Sequence, residues 1–135
     1  MLTIAGDGPG GVVIEVPFGI ALSDVLQRCG YEPGITVLMG GYHGAWLPPE
    51  QVAQRRISRT DLAQSGATIG AGIVLPLDQD SCPVVLTSRI VAYLAGQSAR
   101  RCGPCKNGLP LLAETLVTLA DAGSCLLYTS DAADE

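Results

Sequence analysis

The apolar positions of this chain change period twice, and the changes divide it into three stretches. Over the first 47 residues, short apolar runs alternate with turn residues. Residues 2–5 and 12–16 read as strands. The run Gly6-Asp7-Gly8-Pro9-Gly10-Gly11 between them predicts a hairpin, and Pro17 closes the second strand. Leu22, Val25, Leu26 and Cys29 then recur at i, i+3, i+4 and i+7, which is a one-faced helix stopped by Gly30. Thr36–Met39 is a third strand, running into Gly40-Gly41-Tyr42-His43-Gly44. A helix in the order β-β-α-β can bury its stripe on one face of the sheet. This predicts a β-grasp (ubiquitin-like) module over 1–49.

Pro48-Pro49 breaks the pattern. The polar stretch that follows holds Gln51, Gln54, Arg55, Arg56 and Arg59, with only Val52, Ile57 and Leu62 to bury. Residues 50–80 therefore read as a connector with a short helix over 59–64 and a Gly-punctuated strand over 68–75 that Pro76 closes. From 81 to 124 the period is helical. Ser81 can cap a helix with Pro83 in its first turn, where a missing N–H costs nothing, and Val84, Ile90, Val91 and Leu94 supply its apolar positions. A second helix begins near Pro110, with Leu109, Leu112, Leu116 and Leu119 on one face and Gly123 as its stop. The expected fold class is α+β, a β-grasp module followed by a partial helical bundle.

Composition narrows the classes. With one Trp, one Phe and four Tyr, the core has to be aliphatic. A net charge of −5, and no Lys/Arg cluster interleaved with aromatics, excludes a basic nucleic-acid face. No apolar run approaches the roughly 20 residues that cross a bilayer. The N-terminus lacks the positive segment of a signal peptide, so direct membrane insertion and secretion are not expected. Five cysteines in such a chain read as thiols or ligands before they read as a disulfide framework.

The chemistry concentrates in Arg101-Cys102-Gly103-Pro104-Cys105-Lys106. A C-x-x-C brings two thiolates close enough to share a metal or form a disulfide, and a following helix N-terminus favours the thiolate. Three readings stay open. The pair could be packed thiols without chemistry. It could be a thioredoxin-like dithiol, although such a site follows a buried strand and here the preceding residues 90–101 look helical, with Arg101 in place of an aromatic. It could ligate iron–sulfur. Elsewhere the signals are weaker. Gly6–Gly11 is a turn and not a dinucleotide fingerprint, since no helix opens after it. His43, the only histidine, ends a strand and suits a loop role. Cys29 falls on an apolar helix face, and Cys82 precedes Pro83 at a helix start.

The segment Gln97-Ser98-Ala99-Arg100-Arg101-Cys102-Gly103-Pro104-Cys105-Lys106-Asn107-Gly108 resembles the Glu-Ser-Cys-Gly-x-Cys-x-Pro-Cys-Arg-x-Gly signature of the flavin- and NADH-binding subunit of complex I, the F subunit of the NADH-quinone oxidoreductase family. Upstream, Val16-Pro17-Phe18-Gly19, Leu22-Ser23-Asp24-Val25-Leu26 and Gly40-Gly41-Tyr42-His43-Gly44 are similar to that family's soluble-ligand-binding β-grasp module. The resemblance implies a 4Fe–4S cluster with Cys102 and Cys105 as its second and third ligands. Ala99 stands where the first cysteine belongs, Gln97 replaces the Glu, and the family's fourth ligand falls well beyond Cys105. The resemblance further implies FMN elsewhere in the full-length protein and partnership with the other peripheral-arm subunits at the cytoplasmic face of a membrane. Its function would be electron transfer in an NADH:quinone oxidoreductase, and this chain alone would not oxidise NADH. The rivals are a dithiol oxidoreductase and a cluster-free structural or interaction module. Residues 125–135 resemble a translated sequencing adapter, so that stretch is expected to be a non-native tail, with the helical domain over 81–124.

Overall fold

The computed structural model describes residues 1–6, 11–77 and 81–122. The hairpin turn at 7–10, the helix stop at Gly123 and the tail from 125 lie outside the described residues. The chain divides into two compact units, residues 1–80 and 81–135.

The first unit is one mixed sheet with helices. In chain order its elements are β1 (Leu2–Ile4), β2 (Val12–Ile14), α1 (Leu22–Arg28), β3 (Thr36–Met39), β4 (Ala45–Leu47), α2 (Pro49–Gln54), α3 (Arg59–Ala63) and β5 (Ile73–Leu77). The strand order is β2-β1-β5-β3-β4. β1 pairs antiparallel with β2, placing Leu2 opposite Ile14, and parallel with β5, placing Thr3 opposite Ile73. β3 pairs antiparallel with both β4 and β5. This is the β-grasp arrangement expected from the sequence, with α1 as the grasped helix.

The periodicity of α1 holds. Leu22, Val25 and Leu26 are buried, Cys29 packs half-buried against the same cluster, and Gly30 at φ 85° ends the helix. The core is aliphatic as the composition requires, with Ile4, Leu22, Met39, Leu47 and Leu62 among its most enclosed side chains.

Residues 50–80 behave differently from the connector expected of them. β5 sits in the middle of the sheet, between β1 and β3. All three apolar residues of the polar stretch, Val52, Ile57 and Leu62, are buried in the same cluster as Leu22 and Val37. Backbone bonds tie the stretch to the start of α1: Gly19 N–H donates to the Ile57 carbonyl at 2.9 Å, and Leu22 N–H donates to that of Arg55 at 2.9 Å. A sparse apolar pattern looked solvated because only three side chains carry the burial, and each of them is fully used.

Pro76 lies inside β5 and does not close it. Gly40 N–H donates to the Ile73 carbonyl, and the register sets Val37 opposite Pro76. Hydrogen-bonded pairs alternate with non-bonded pairs in an antiparallel ladder. Two residues along from the Gly40–Ile73 bond comes the bonded pair Leu38–Leu75, so Val37–Pro76 is a non-bonded pair. The absent N–H of Pro76 therefore costs nothing toward β3, and β1 has already ended on the other side.

The second unit is a helix pair, α4 (Pro83–Gly96) and α5 (Leu109–Asp121), joined through a π-helical turn at Pro104–Gly108. Cys82, not Ser81, occupies the N-cap, because Pro83 takes the first helical position. Ser88, Ala95 and Ala113 are the buried residues of these helices. In α4 Ser88 and Ala95 are buried, and Val84, Val85, Leu86, Ile90, Val91 and Leu94 are half-buried. In α5 Leu109, Ala113, Leu116 and Ala120 face inward, at i, i+4, i+7 and i+11, with Pro110 half-buried beside Leu109. The sequence placed Leu112 and Leu119 on this face, yet they are 50% and 44% exposed. Small residues at the centre let the two helices approach, and a pair of helices can bury only one stripe each.

Candidate functional site

The two cysteines singled out by the sequence lie where the chain leaves α4 and starts its next helical turn. Gln97 caps α4, and the backbone then reverses through Arg100, whose φ of 53° is the one left-handed angle at a non-glycine among the described residues. Ser98 fixes that reversal from both sides. Its hydroxyl accepts the Arg100 N–H at 3.2 Å and donates to the Cys105 carbonyl at 3.5 Å. The Cys102 carbonyl accepts the Lys106 N–H at 2.9 Å, which opens a helical turn. Pro104 sits at its first position without needing an N–H. Leu109 N–H then bonds back to the Pro104 carbonyl, five residues earlier, so the turn is π-helical before it continues as α5. Single π turns inserted in helices recur at functional sites.

Both thiols are free, Cys102 exposed and Cys105 half-buried. Each acts on the other's titration. The bond from the Cys105 thiol, reinforced by the Cys105 backbone, holds Cys102 below the ordinary thiol range. The same bond, with burial and the Cys102 charge behind it, pushes Cys105 above that range, while the Ser98 hydroxyl acts the other way. The two thiols therefore titrate as a pair, Cys102 losing its proton before Cys105.

A third ligand is not grouped with them. Among the described residues no set of three or more His, Cys, Asp or Glu side chains is placed to hold a metal ion. Ala99 is exposed in the reversal, and Cys29 belongs to the core of the other unit.

The Gly40–Gly44 turn borders a cleft of about 370 Å³ in the first unit, lined by Tyr42, His43, Thr68, Ala71 and Ile73. Its glycines serve close backbone approach. A Cβ on Gly70 would stand 2.5 Å from the Gly40 carbonyl oxygen, and one on Gly44 would collide with that of Met39. The sequence pointed to the glycines and to a loop role for His43. It did not reveal that residues 68–71 cross the same turn, with Ala71 N–H donating to the Gly40 carbonyl at 3.2 Å.

No family model matches the chain. Curated relatives do. The second F subunit of the NADH-quinone oxidoreductase of Rhizobium meliloti (strain 1021) is 28% identical over 99 residues, which is 70% of this chain and 24% of that protein. The NADH-quinone oxidoreductase F subunit of Buchnera aphidicola subsp. Schizaphis graminum (strain Sg) is 26% identical over 115 residues, 79% of this chain and 25% of that protein. Among solved structures, the NAD+-reducing [NiFe]-hydrogenase in its H2-reduced state matches with a TM-score of 0.69 and 30% identity, covering 89% of this chain and 20% of the hydrogenase chain. The air-oxidised state of an NAD+-reducing [NiFe]-hydrogenase gives 0.66 and 28%, covering 89% of this chain and 21% of that one. Shared sequence and shared fold thus make this a chain like the F subunit of NADH-quinone oxidoreductase, spanning about a quarter of the length of the curated relatives it matches.

Proposed function

We propose that the chain takes part in electron transfer as a portion of the NADH-oxidising subunit of a multi-subunit NADH:quinone oxidoreductase of the complex I type. The observation that carries this reading is the double similarity in sequence and in fold. A quinone-linked and a hydrogen-linked enzyme, both named for NAD chemistry, match this chain at 26% to 30% identity. Oxidation of NADH, and the FMN that would accept its hydride, belong in this reading to the rest of the subunit.

In the same reading Cys102 and Cys105 would be two ligands of a 4Fe–4S cluster, a group that relays single electrons. A cluster of this kind takes four thiolates. Two grouped thiols without a third donor among the described residues do not fit it by themselves. Ala99 at the first ligand position favours a second reading of the helix pair as a cluster-free interaction module. Leu111, Leu112, Val117 and Leu119 leave apolar area exposed on α5, which would suit contact with another peripheral-arm subunit. No helix among the described residues is long and apolar enough to cross a membrane. Attachment at the cytoplasmic face would then come through the complex.

Affinity purification of the tagged chain from its native cells tests the proposal. The eluate should carry bound FMN and NADH:ferricyanide reductase activity, whereas the chain expressed alone should have neither. A chain that elutes from native cells by itself, without flavin or activity, would contradict it.

A further inference from the structure

The turn between α4 and α5 carries a second feature besides its cysteines. Arg100, Arg101 and Lys106 all stand on it, all three are exposed, and none forms an ion pair among the described residues. No Asp or Glu occurs between Asp80 and Glu114, so this end of the helix pair is cationic within a chain of net charge −5. Arg100 also strains the backbone. Its φ of 53° is a left-handed angle that glycine adopts freely, and glycine is what the resembled signature carries at this position. A guanidinium is thus held where the local backbone would be better served by no side chain. Solvated Arg and Lys side chains are common, but solvation alone gives no reason for that strain. The turn is firm as well: the Ser98 hydroxyl accepts the Arg100 N–H at 3.2 Å, and the Cys102 carbonyl accepts the Lys106 N–H at 2.9 Å. Leu111 and Leu112, 65% and 50% exposed, follow in the first turn of α5. An apolar centre with a polar, charged rim is the usual anatomy of a protein–protein contact.

We propose that the α4–α5 turn is a docking surface for an acidic segment of a partner protein, whose Asp or Glu carboxylates meet Arg100, Arg101 and Lys106 beside Leu111 and Leu112. Charge sets the class of partner. A net charge of −5 repels the chain as a whole from anionic lipid surfaces and nucleic acid, whose charge is spread evenly. An acidic patch on a protein is local and can be met by the turn alone. Three like charges at one end also reject basic surfaces, so the contact is selected by sign as well as by shape. The two guanidinium groups add direction, since each can hold a carboxylate through two parallel hydrogen bonds. Nothing in this inference depends on what Cys102 and Cys105 bind, and it stands whether or not the assembly oxidises NADH.

Lys106 is the only lysine of the chain, which makes the contact chemically addressable. A carbodiimide joins an amine to a carboxylate without a spacer, so it reports groups already in contact. The tagged chain is purified with its partners from native cells at low salt, treated with carbodiimide, digested and read by mass spectrometry. The expected result is an amide from Lys106 to an Asp or Glu of another polypeptide. Its yield should fall about tenfold in about 0.5 M salt, which screens exposed ion pairs. The double variant Arg100→Gly, Arg101→Gln should lower the yield as far. Its denaturation midpoint should not fall, because glycine relieves the left-handed angle, and this separates loss of charge from loss of fold. Arg100→Lys, which keeps the charge, should retain the amide. An unmodified Lys106, amides only to carboxylates of its own polypeptide, or a yield indifferent to salt and to the double variant would each overturn the proposal. So would retention on phosphatidylserine vesicles without such an amide. A Lys106 amide in an eluate without flavin would leave this proposal standing while contradicting the complex I reading.

Discussion

At the residue scale, the glycines of the first unit and a serine of the second decide as much as the two cysteines. Cys102 and Cys105 were legible from the sequence because C-x-x-C is a spacing with few uses. Their asymmetry was not, since it depends on how each thiol acts on the other, with the Ser98 hydroxyl working against it at Cys105. A serine seven residues away carries no signature of that role. The glycines show the reverse. Gly40, Gly41 and Gly44 announced a close approach, but what approaches is the backbone at 68–71, which only the fold reveals. Gly70, at φ 50°, leaves no room for a side chain against the Gly40 carbonyl. Gly70→Ala should therefore destabilise the β-grasp unit by about 1–3 kcal/mol, read as a lowered denaturation midpoint at unchanged slope.

At the element scale, the stripe of α1 was read correctly, whereas the sparse patterns and the buried face of α5 were not. The stripe of α1 and the strand at Thr36–Met39 stand as the pattern drew them. β5 was half hidden, because its approach is rich in glycine and its own run contains Pro76. The ladder accommodates Pro76 because its N side faces away from β3. Likewise α3 looked peripheral, with one leucine among polar residues, yet Leu62 is fully enclosed. Leu62→Ala should cost about 2–5 kcal/mol, as for a buried leucine in any core. By contrast Leu112→Ser, which the sequence would have made equally severe, should shift stability by no more than about 0.5 kcal/mol, because Leu112 lies outside the α4–α5 contact. Parallel urea titrations of the two variants check both expectations. Similar losses for the two would mean that the helix pair is packed on a different face.

At the scale of the whole molecule, recognition came from order and not from any single motif. A C-G-P-C string alone points as well to a dithiol enzyme as to a cluster. A β-grasp pattern alone points to no chemistry at all. The two in succession match the F subunit of NADH-quinone oxidoreductase, and the fold similarity to the NAD+-reducing hydrogenase follows the same succession. Ala99, where the resembled signature has a cysteine, is the departure within the chain, and no group of three or more His, Cys, Asp or Glu gathers among the described residues. The central claim is that the chain serves an NADH-oxidising assembly. The most direct measurement is NADH-dependent quinone reduction in membranes from cells lacking this reading frame, with and without its re-expression. A rate lost on deletion and regained on re-expression is the predicted result, and an unchanged rate in the deletion strain would contradict the account.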